Sequence, residues 1–189
     1  MMSVLEITNW VKQYAPFGLD EALHADINKA GVVFTFQHEH SLETLLIKPQ
    51  PKKRDSLGMP PWQIIKGTRM INLKGGKLKD YHPNDKDYKK GDLEPLLVTA
   101  LREGIEESGL KLENIDSVEP AGLYYFRSAS TKEKKSMILY TVTIKDKFHF
   151  DWPTPEHPDT AHMQWFSVSH LPEDIRADAK KIIKKMFTK

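Results

Sequence analysis

One segment, residues 95–109, constrains the fold more than any other part of the chain. Pro95 suits the first position of a helix and Gly109 suits its C-terminal cap, so the sequence predicts a helix at about 95–108. At about 100° per residue, the apolar residues fall on one side and the glutamates occupy an arc of roughly 100° on the other. The apolar residues are Leu97, Val98, Leu101 and Ile105, and the glutamates are Glu103, Glu106 and Glu107. Such a helix can lie on a sheet with one face and present three carboxylates with the other.

The rest of the chain predicts that sheet. The apolar, β-rich segments "GVVFTF" and "LETLLI" are joined by the polar "QHEHS" and predict a strand pair. Further strands are predicted in "WQIIKG", "MINL", "GLYYFRS", "SMILYTVTI" and "MQWFSV". Helices are predicted in "SVLEITNWVKQY", in "LDEALHADINKA" and, at the C-terminal end, in "EDIRADAKKIIKKMF". The fold class is therefore α/β, and we expect an α/β/α sandwich with a mixed sheet.

Length and composition exclude several classes of protein. A chain of 189 residues, 39% hydrophobic, suits a single domain over 1–189, with a helical N-terminal extension at 1–30. Its formal net charge of +2 is too close to neutral to indicate a dedicated nucleic-acid binder. Cysteine is absent, so a disulfide-linked partner and a thiolate metal site are excluded. No apolar run approaches the roughly 18 residues that span a bilayer, and no signal peptide is recognisable, so we expect a cytoplasmic protein without membrane contact.

The glutamate side of the helix has two interpretations. The first is a solvated face whose glutamates pair with lysine or arginine. The second is a metal site: if the carboxylates converge at about 4 Å, each pair repels by about 4 kcal/mol at an effective dielectric of 20. A bound divalent cation removes that repulsion, and hard cations such as Mg²⁺ prefer carboxylate oxygens. The charge pattern alone leaves both interpretations open.

The segment "REGIEESG" resembles the core of the Nudix box. The full pattern is Gly, five residues, Glu, seven residues, then Arg-Glu-aliphatic-x-Glu-Glu-x-Gly-aliphatic. Glu94 stands eight residues before Arg102, as the pattern requires, and the positions that match after it are Arg102, Glu103, Glu106, Glu107, Gly109 and Leu110.

Two positions depart from the pattern. The first glycine should fall at Tyr88, and Gly76 in "LKGGKL" is the better candidate, followed by an insertion loop at 77–92. The alternative glycine is Gly67, which makes the inserted segment longer still. The aliphatic position after Arg-Glu is Gly104, which either admits a close neighbour or loosens the helix.

The resemblance implies a metal-dependent hydrolase that cleaves the diphosphate linkage of a nucleotide by attack of water on phosphorus. It implies that Glu106 and Glu107 hold Mg²⁺ (or Mn²⁺) and that Glu103 is a further ligand or the general base. Arg102 would orient the glutamates, and the carbonyl of Gly76 would be a backbone ligand. A glutamate from a later loop completes the site in many members of the family. Here the loop acids are Glu156, which we prefer, and Asp159.

Candidate substrate contacts lie outside the box. Lys66 and Arg69, beside the presumed site strand, are candidates for phosphate binding, and Tyr125 for stacking on a base. These residues favour a nucleoside triphosphate or a dinucleoside polyphosphate as the substrate. A nucleotide sugar or ADP-ribose stays open, as does a Nudix-fold module that binds a nucleotide or RNA end without cleaving it. The sequence also leaves a homodimer open.

Overall fold

The computed structural model of the chain describes residues 2–19, 26–51, 58–73, 76–86, 88–128, 131–146 and 160–188. The helices in these residues are α1 (Val4–Tyr14), α2 (Leu96–Ser108) and α3 (Ala177–Phe187). The strands are β1 (Lys29–His38), β2 (Ser41–Pro49), β3 (Ile65–Thr68), β4 (Met70–Leu73), β5 (Lys77–Asp80), β6 (Ile115–Arg127), β7 (Lys134–Ile144) and β8 (Thr160–Ser167). Short 3-10 turns lie at Pro16–Leu19, Lys90–Asp92 and Leu112–Asn114.

Six of the strands form one mixed sheet around β1. The order is β6-β7-β1-β2-β8, with β3 also paired to β1. β1 runs parallel to β7 and antiparallel to both β2 and β3. Its first half, Lys29 to Val32, pairs with β3, and its second half, from Thr35 onward, pairs with β2. β3 is thereby fixed to the first half of β1, where it packs against α2.

The helices cover the two faces of this sheet, which confirms the predicted α/β/α sandwich. Successive side chains of a strand point to opposite faces, and β1 divides its apolar residues accordingly. Phe34 joins a core with α1 and α2, whereas Val33 joins a second core with α3. The predicted apolar side of the C-terminal helix lies in that second core, with Ala179, Ile182 and Ile183 buried there.

Helix α2 approaches the sheet closely because Gly104 has no side chain. A Cβ at Gly104 would stand 2.9 Å from the ring of Phe34 and 3.2 Å from Val32. The glycine at the aliphatic position of the box therefore admits close neighbours, the first of the two predicted alternatives. The helix ends at Gly109, whose φ of 70° is the left-handed conformation of a C-terminal cap. Pro95 precedes the helix as its N-cap residue.

Two of the predicted elements differ in the structure. The second N-terminal helix was predicted through Ala30, but Lys29 and Ala30 are the first residues of β1, and part of the predicted helix lies outside the described residues. The predicted insertion loop at 77–92 instead begins with a strand, since β5 pairs with β4 in a hairpin. Tyr81 then packs in a small core with Ile71 and Leu93. These apolar residues lie about ten positions apart, so no local periodicity reveals their packing.

Candidate functional site

Arg102 is the centre of the candidate site. Its side chain is buried, and its guanidinium contacts three of the box acids. Nε donates to Glu94 Oε1 at 2.9 Å. Nη1 donates to Glu103 Oε1 at 2.8 Å and to Glu106 Oε2 at 3.0 Å. Nη2 donates to the carbonyl of Thr68 at 2.9 Å, which ties the arginine to β3.

Glu94 orients Arg102 and is itself held by two further donors. Its side chain is only 4% exposed. Oε2 accepts from the main-chain N–H of Met70 at 3.2 Å and from the hydroxyl of Thr99 at 2.9 Å. Buried charges are stable in proteins when they are paired and hydrogen-bonded, and Glu94 meets both conditions. Sequence reasoning did not identify Met70 and Thr99 as partners, because no spacing rule links them to the box.

The charges around Arg102 shift the protonation of the whole cluster. Burial on its own lowers the pKa of Arg102, but the hydrogen bonds and charges of Glu94, Glu103 and Glu106 raise it above the ordinary value. For Glu103 the largest effect is burial, which raises the pKa of its carboxyl, and the negative charges of Glu106 and Glu94 act in the same direction. Arg102 opposes that rise. Arg102 is therefore a permanent cation beside a carboxyl that protonates more readily than an exposed glutamate.

Gly67, rather than Gly76, is the glycine beside the glutamates. An ideal Cβ at Gly67 would stand 1.7 Å from the carboxyl carbon of Glu103. Gly76 lies in the turn between β4 and β5, with no atom within 4 Å of its Cβ position. The prediction for Gly76 is corrected on this point, because the glycine that faces the box must lie on the strand that packs against α2. The alternative considered in the sequence, Gly67, is the residue in that place.

Arg69 does not face the site as a phosphate contact. Its side chain is fully buried, and Nε donates to the carbonyl of Glu94 at 2.7 Å. Nη1 donates to the carbonyl of Ile27 at 3.3 Å. A guanidinium enclosed by main-chain carbonyls is not presented to a ligand, so the structure contradicts the predicted substrate contact of Arg69.

Lys66 adjoins the second core on the α3 side of the sheet. Its Nζ stands 5.5 Å from the ring centroid of Phe126. The pKa of Lys66 is lowered to about 8: burial is the largest cause, the positive charge of Arg176 acts in the same direction, and the negative charges of Asp178 and Glu107 oppose the shift. Lys66 is thus electrostatically coupled both to the box helix and to the N-terminal end of α3.

Tyr125 lines a groove between β6 and α3, which we call the edge groove. The groove has a volume of about 650 Å³ and is lined by residues of β6 and β7 together with residues of α3. Tyr125 is 52% exposed, and the Nζ of Lys134 stands 4.2 Å from its ring centroid. Tyr124 and Phe126, by contrast, are buried in the second core. The cations lining the edge groove are Arg127, Lys134, Arg176, Lys181 and Lys185, and its acid is Asp178.

Of the remaining predicted residues, the structure describes Glu107 but not Glu156 or Asp159. Glu107 lies half-buried on α2, one residue beyond Glu106. Glu156 and Asp159 lie outside the described residues, so their predicted roles stay predictions. None of the helices in the described part of the chain is long and apolar enough to cross a membrane.

The donor set around Arg102 fits a hard divalent cation in its chemistry. Glu103 and Glu106 each give one oxygen to Nη1 of Arg102, which leaves the second oxygen of each carboxylate for another partner. Carboxylate oxygens are the ligands that Mg²⁺ and Mn²⁺ prefer. Within the described ranges, no three His, Asp or Glu side chains already converge as they do around a metal ion. Arg102 keeps Glu103 and Glu106 beside each other in this arrangement.

The fold and the site together define a class: an α/β/α sandwich in which an arginine-centred cluster of glutamates faces a glycine on a neighbouring strand. The family model of the NUDIX domain matches residues 28–186. The chain therefore belongs to the Nudix family. No curated protein matches its sequence.

Solved structures give the same fold. The Ap4A hydrolase of C. elegans in a binary complex superposes with a TM-score of 0.53 at 14% identity, over 84% of this chain and 93% of that one. The NUDIX domain of Shewanella oneidensis NrtR, complexed with ADP ribose, gives 0.52 at 15% identity, over 94% of each chain. A MutT NUDIX hydrolase from Burkholderia pseudomallei gives 0.51 at 15% identity, over 85% of this chain and 98% of that one. At these identities the likeness concerns the fold.

Proposed function

We propose that this chain is a metal-dependent pyrophosphohydrolase that cleaves the diphosphate linkage of a nucleotide-type substrate by attack of water at phosphorus. The observation that carries the proposal is the network in which buried Arg102 joins Glu94, Glu103 and Glu106. A glutamate face that merely solvates a helix would not bury its arginine and fix it with four acceptors on three segments. Membership of the Nudix family supports the same reaction class.

Mg²⁺ or Mn²⁺ is the proposed cofactor, held by Glu106 and Glu107 with a main-chain carbonyl near Gly67 in the place predicted for Gly76, while Glu103 is either a further ligand or the general base. When bound, such a cation would neutralise the negative charge of the diphosphate. Arg102 engages one oxygen of Glu103 and one of Glu106, so it limits the rotation of both carboxylates. It also balances their charge before any cation arrives. Arg102 therefore holds two of the proposed acidic residues, Glu103 and Glu106, beside each other.

Glu103 is the proposed acceptor of the proton of the attacking water. A general base works best when its pKa lies near the operating pH, and burial raises the pKa of Glu103 toward that range. Glu107, on the same helix, and Glu156, which precedes β8 in the sequence, are the other two candidates for this role. Substitution of each of these glutamates by glutamine in turn distinguishes them, because the true base determines the acidic limb of the pH–rate profile.

The edge groove is the proposed site for the nucleoside and for additional phosphates. Gly67 faces Glu103, the Nζ of the preceding residue Lys66 lies over the ring of Phe126, and Phe126 lines the groove. The proposed path of a ligand runs from the glutamates past Lys66, which is electrostatically coupled to both Glu107 and Asp178, to Tyr125 in the groove. Exposed Tyr125 offers a stacking surface, and the surrounding cations favour a substrate with phosphates beyond the one attacked. Both features favour a nucleoside triphosphate or a dinucleoside polyphosphate.

Two alternatives have specific support. The NrtR NUDIX domain in complex with ADP ribose has the same fold, so ADP-ribose or a nucleotide sugar is the second candidate substrate class. A module that binds a nucleotide or RNA end without turnover is the alternative from a different functional class. Retention of Glu94, Glu103, Glu106 and Glu107 favours the enzyme over this binding module. A cytoplasmic location, a single domain and a homodimer stay predictions.

The decisive experiment is turnover across a substrate panel. Nucleoside triphosphates, dinucleoside polyphosphates, ADP-ribose and nucleotide sugars are each incubated with Mg²⁺ or Mn²⁺, and product release is followed by chromatography. Glu107→Gln is the test variant, and Glu113→Gln, at an exposed position in the 3-10 turn after α2, is the matched control. We expect Glu107→Gln to lose on the order of 10²-fold or more in kcat and Glu113→Gln to retain activity.

The outcomes separate the candidates. Turnover of tri- or polyphosphates supports the favoured class, and turnover confined to ADP-ribose or nucleotide sugars supports the second class. No turnover on the panel, together with nucleotide binding by the folded protein, would establish the binding module instead. Equal activity of Glu107→Gln and Glu113→Gln would remove Glu107 from the proposed site.

A further inference from the structure

Arg69, the single residue between β3 and β4, has a buried side chain whose contacts go beyond the connection of two strands. Arg69 follows β3 directly, and its side chain is fully buried. Its guanidinium donates to the carbonyl of Glu94 at 2.7 Å and to the carbonyl of Ile27 at 3.3 Å. Enclosing a guanidinium is costly unless its donors are satisfied in a fixed geometry. Arg69 is therefore a rigid junction between two segments that are far apart in sequence.

The main chain of Arg69 is also tied on both sides. Its N–H donates to the carbonyl of Asn28 at 2.9 Å, and its own carbonyl accepts from the N–H of Tyr81 at 2.7 Å. The side-chain amide of Asn28 donates in turn to the carbonyl of Tyr81 at 3.3 Å. The guanidinium carbon stands 5.9 Å from the ring centroid of Tyr81. The hairpin of β4 and β5 is thus closed at its base around Arg69.

Glu94 receives contacts from this junction on both its main chain and its side chain. Its carbonyl accepts from Nε of Arg69, and its N–H donates to the carbonyl of Met70 at 2.9 Å. Its carboxylate accepts from the N–H of Met70. Glu94 then holds Nε of Arg102, and Arg102 holds Glu103 and Glu106. An unbroken series of hydrogen bonds joins Arg69 to the carboxylates of α2.

We infer that Arg69 is a positioning residue for hydrolysis, acting through Glu94 and Arg102 on the carboxylates of Glu103 and Glu106. The inference rests on the proposed function, since it assigns Arg69 to the same reaction. The hairpin of β4 and β5 then has a role in the site. It encloses Arg69, and it is hydrogen-bonded through Met70 to Glu94. The hydrogen bonds of the described residues lead from Arg69 to the carboxylates of α2 through Glu94 and Arg102, so Arg69 acts on them through these two residues.

A purely structural role and a positioning role predict different results. If Arg69 only stabilises the hairpin, its loss lowers the free energy of unfolding, and the folded fraction retains full kcat. If Arg69 positions the cluster, its loss lowers kcat in protein that is fully folded. A misplacement of about 1 Å at a catalytic group can cost about 10²-fold in rate. The comparison therefore needs a variant that destabilises the hairpin without touching Glu94.

The test uses Arg69→Met and Arg69→Lys beside Ile71→Ala. Ile71 is 2% exposed in the hairpin core, and its apolar side chain makes no hydrogen bond to Glu94. Arg69→Lys retains the buried charge but loses the fork that reaches two carbonyls. For each protein we measure the unfolding midpoint, kcat and KM at a temperature where all are folded, and the Nε–Hε signal of Arg102 by NMR. That signal reports the hydrogen bond to Glu94 without requiring turnover.

We expect Arg69→Met to lose about tenfold to a hundredfold in kcat, with a smaller change in KM, and to shift the Arg102 signal. The kcat of Arg69→Lys should lie between those of Arg69→Met and the wild type. Ile71→Ala should have a lower unfolding midpoint but retain the wild-type kcat and the wild-type Arg102 signal. The inference is overturned if both Arg69 variants behave like Ile71→Ala. If Arg69→Met does not fold, Arg69→Lys decides by the same criteria.

Failure of the proposed function is recognisable separately. If the wild type hydrolyses nothing on the panel, the proposed hydrolase is wrong whatever the Arg69 variants do. The Arg102 signal still decides whether Arg69 holds the network: an unchanged signal in Arg69→Lys overturns the inference, and a shifted signal supports the series of contacts.

Discussion

The arginine-centred cluster and the edge groove differ in how their charged side chains are buried and paired. In the cluster, the side chain of Arg102 is 5% exposed and has three glutamates as hydrogen-bond partners. In the groove, Arg176 pairs with Asp178, both about one-fifth exposed, and its neighbours are further cations beside exposed Tyr125. A site for chemistry needs fixed groups, whereas a site for recognition gains from exposed charge that attracts phosphates. This difference predicts that substitutions in the cluster mainly affect kcat and that substitutions in the groove mainly affect KM.

The largest difference should appear when one arginine of each region is replaced. Arg102→Met leaves Glu94 buried without its cation, and breaking a buried pair typically costs about 3–5 kcal/mol. Arg176→Met removes a more exposed pair, for which we expect a loss of about 1 kcal/mol or less. Urea unfolding measures both. Activity should be abolished in Arg102→Met and retained in part in Arg176→Met; equal losses of stability would contradict the contrast.

The second prediction concerns space rather than charge. An alanine at Gly67 would displace the carboxylate of Glu103, because its Cβ would stand 1.7 Å from the carboxyl carbon. The end of a glutamate side chain can move, so we expect the fold to persist and kcat to fall by about 10²-fold. Gly91→Ala is the control, since no atom lies within 4 Å of its Cβ position. Kinetics of the two variants, with circular dichroism as the folding check, measure the effect.

Gly76→Ala sharpens the same comparison between candidate box glycines. Gly76 has a φ of 75°, so alanine there strains the turn of the hairpin but meets no neighbouring atom. It should cost some stability and leave kcat near that of the wild type. A loss of kcat in Gly76→Ala that exceeds the loss in Gly67→Ala would restore Gly76 to the site.

A smaller effect is expected in the edge groove. Tyr125→Ala removes a stacking surface, and stacking on one base contributes about 1–3 kcal/mol. We therefore expect KM for the preferred nucleotide to rise by about tenfold, with kcat nearly unchanged. Tyr14→Ala, at a 62% exposed position on α1, is the control. An unchanged KM in Tyr125→Ala would remove the groove from the proposed substrate site.

The smallest effect is a pH dependence that arises from Lys66. Burial lowers the pKa of Lys66 in the folded protein to about 8 from an ordinary 10.5, so between these values the unfolded chain binds more protons. The free energy of unfolding should therefore rise with pH across that window, relative to Lys66→Met, by on the order of 1 kcal/mol. Urea unfolding of both proteins at pH 7.5 and 9.5 checks the sign. A constant difference between them would show that Lys66 has an ordinary pKa.

The sequence predicted those parts of the fold that have local signals. The helix α2 was predicted from its amphipathic pattern and from Gly109, and the pair of β1 and β2 from two apolar runs around a polar turn. The hairpin core was missed, since Ile71, Tyr81 and Leu93 meet only through long-range packing. The inclusion of Lys29 and Ala30 in β1 likewise depends on pairing with β3, which no short sequence window contains.

The site shows the same division. The box spacing identified Arg102 and its glutamate partners, because the pattern fixes their positions on one helix and at Glu94. It did not select Gly67 over Gly76, since the choice depends on which strand packs against α2. Outside the box, Arg69 was predicted as a phosphate contact from its charge and its place beside the presumed site strand, because a sequence shows the charge of an arginine and not its burial. Three-dimensional packing decides both questions.

The central claim is that the glutamates around Arg102 form a metal centre and not an ion-paired helix face. Mn²⁺ binding, followed by electron paramagnetic resonance, tests it directly in the wild type and in Glu106→Gln, with Glu113→Gln as the control. We expect the wild type and Glu113→Gln to bind Mn²⁺, and Glu106→Gln to have a clearly lower affinity for Mn²⁺. Affinity that is absent from the folded wild type, or equal in all three proteins, would contradict it.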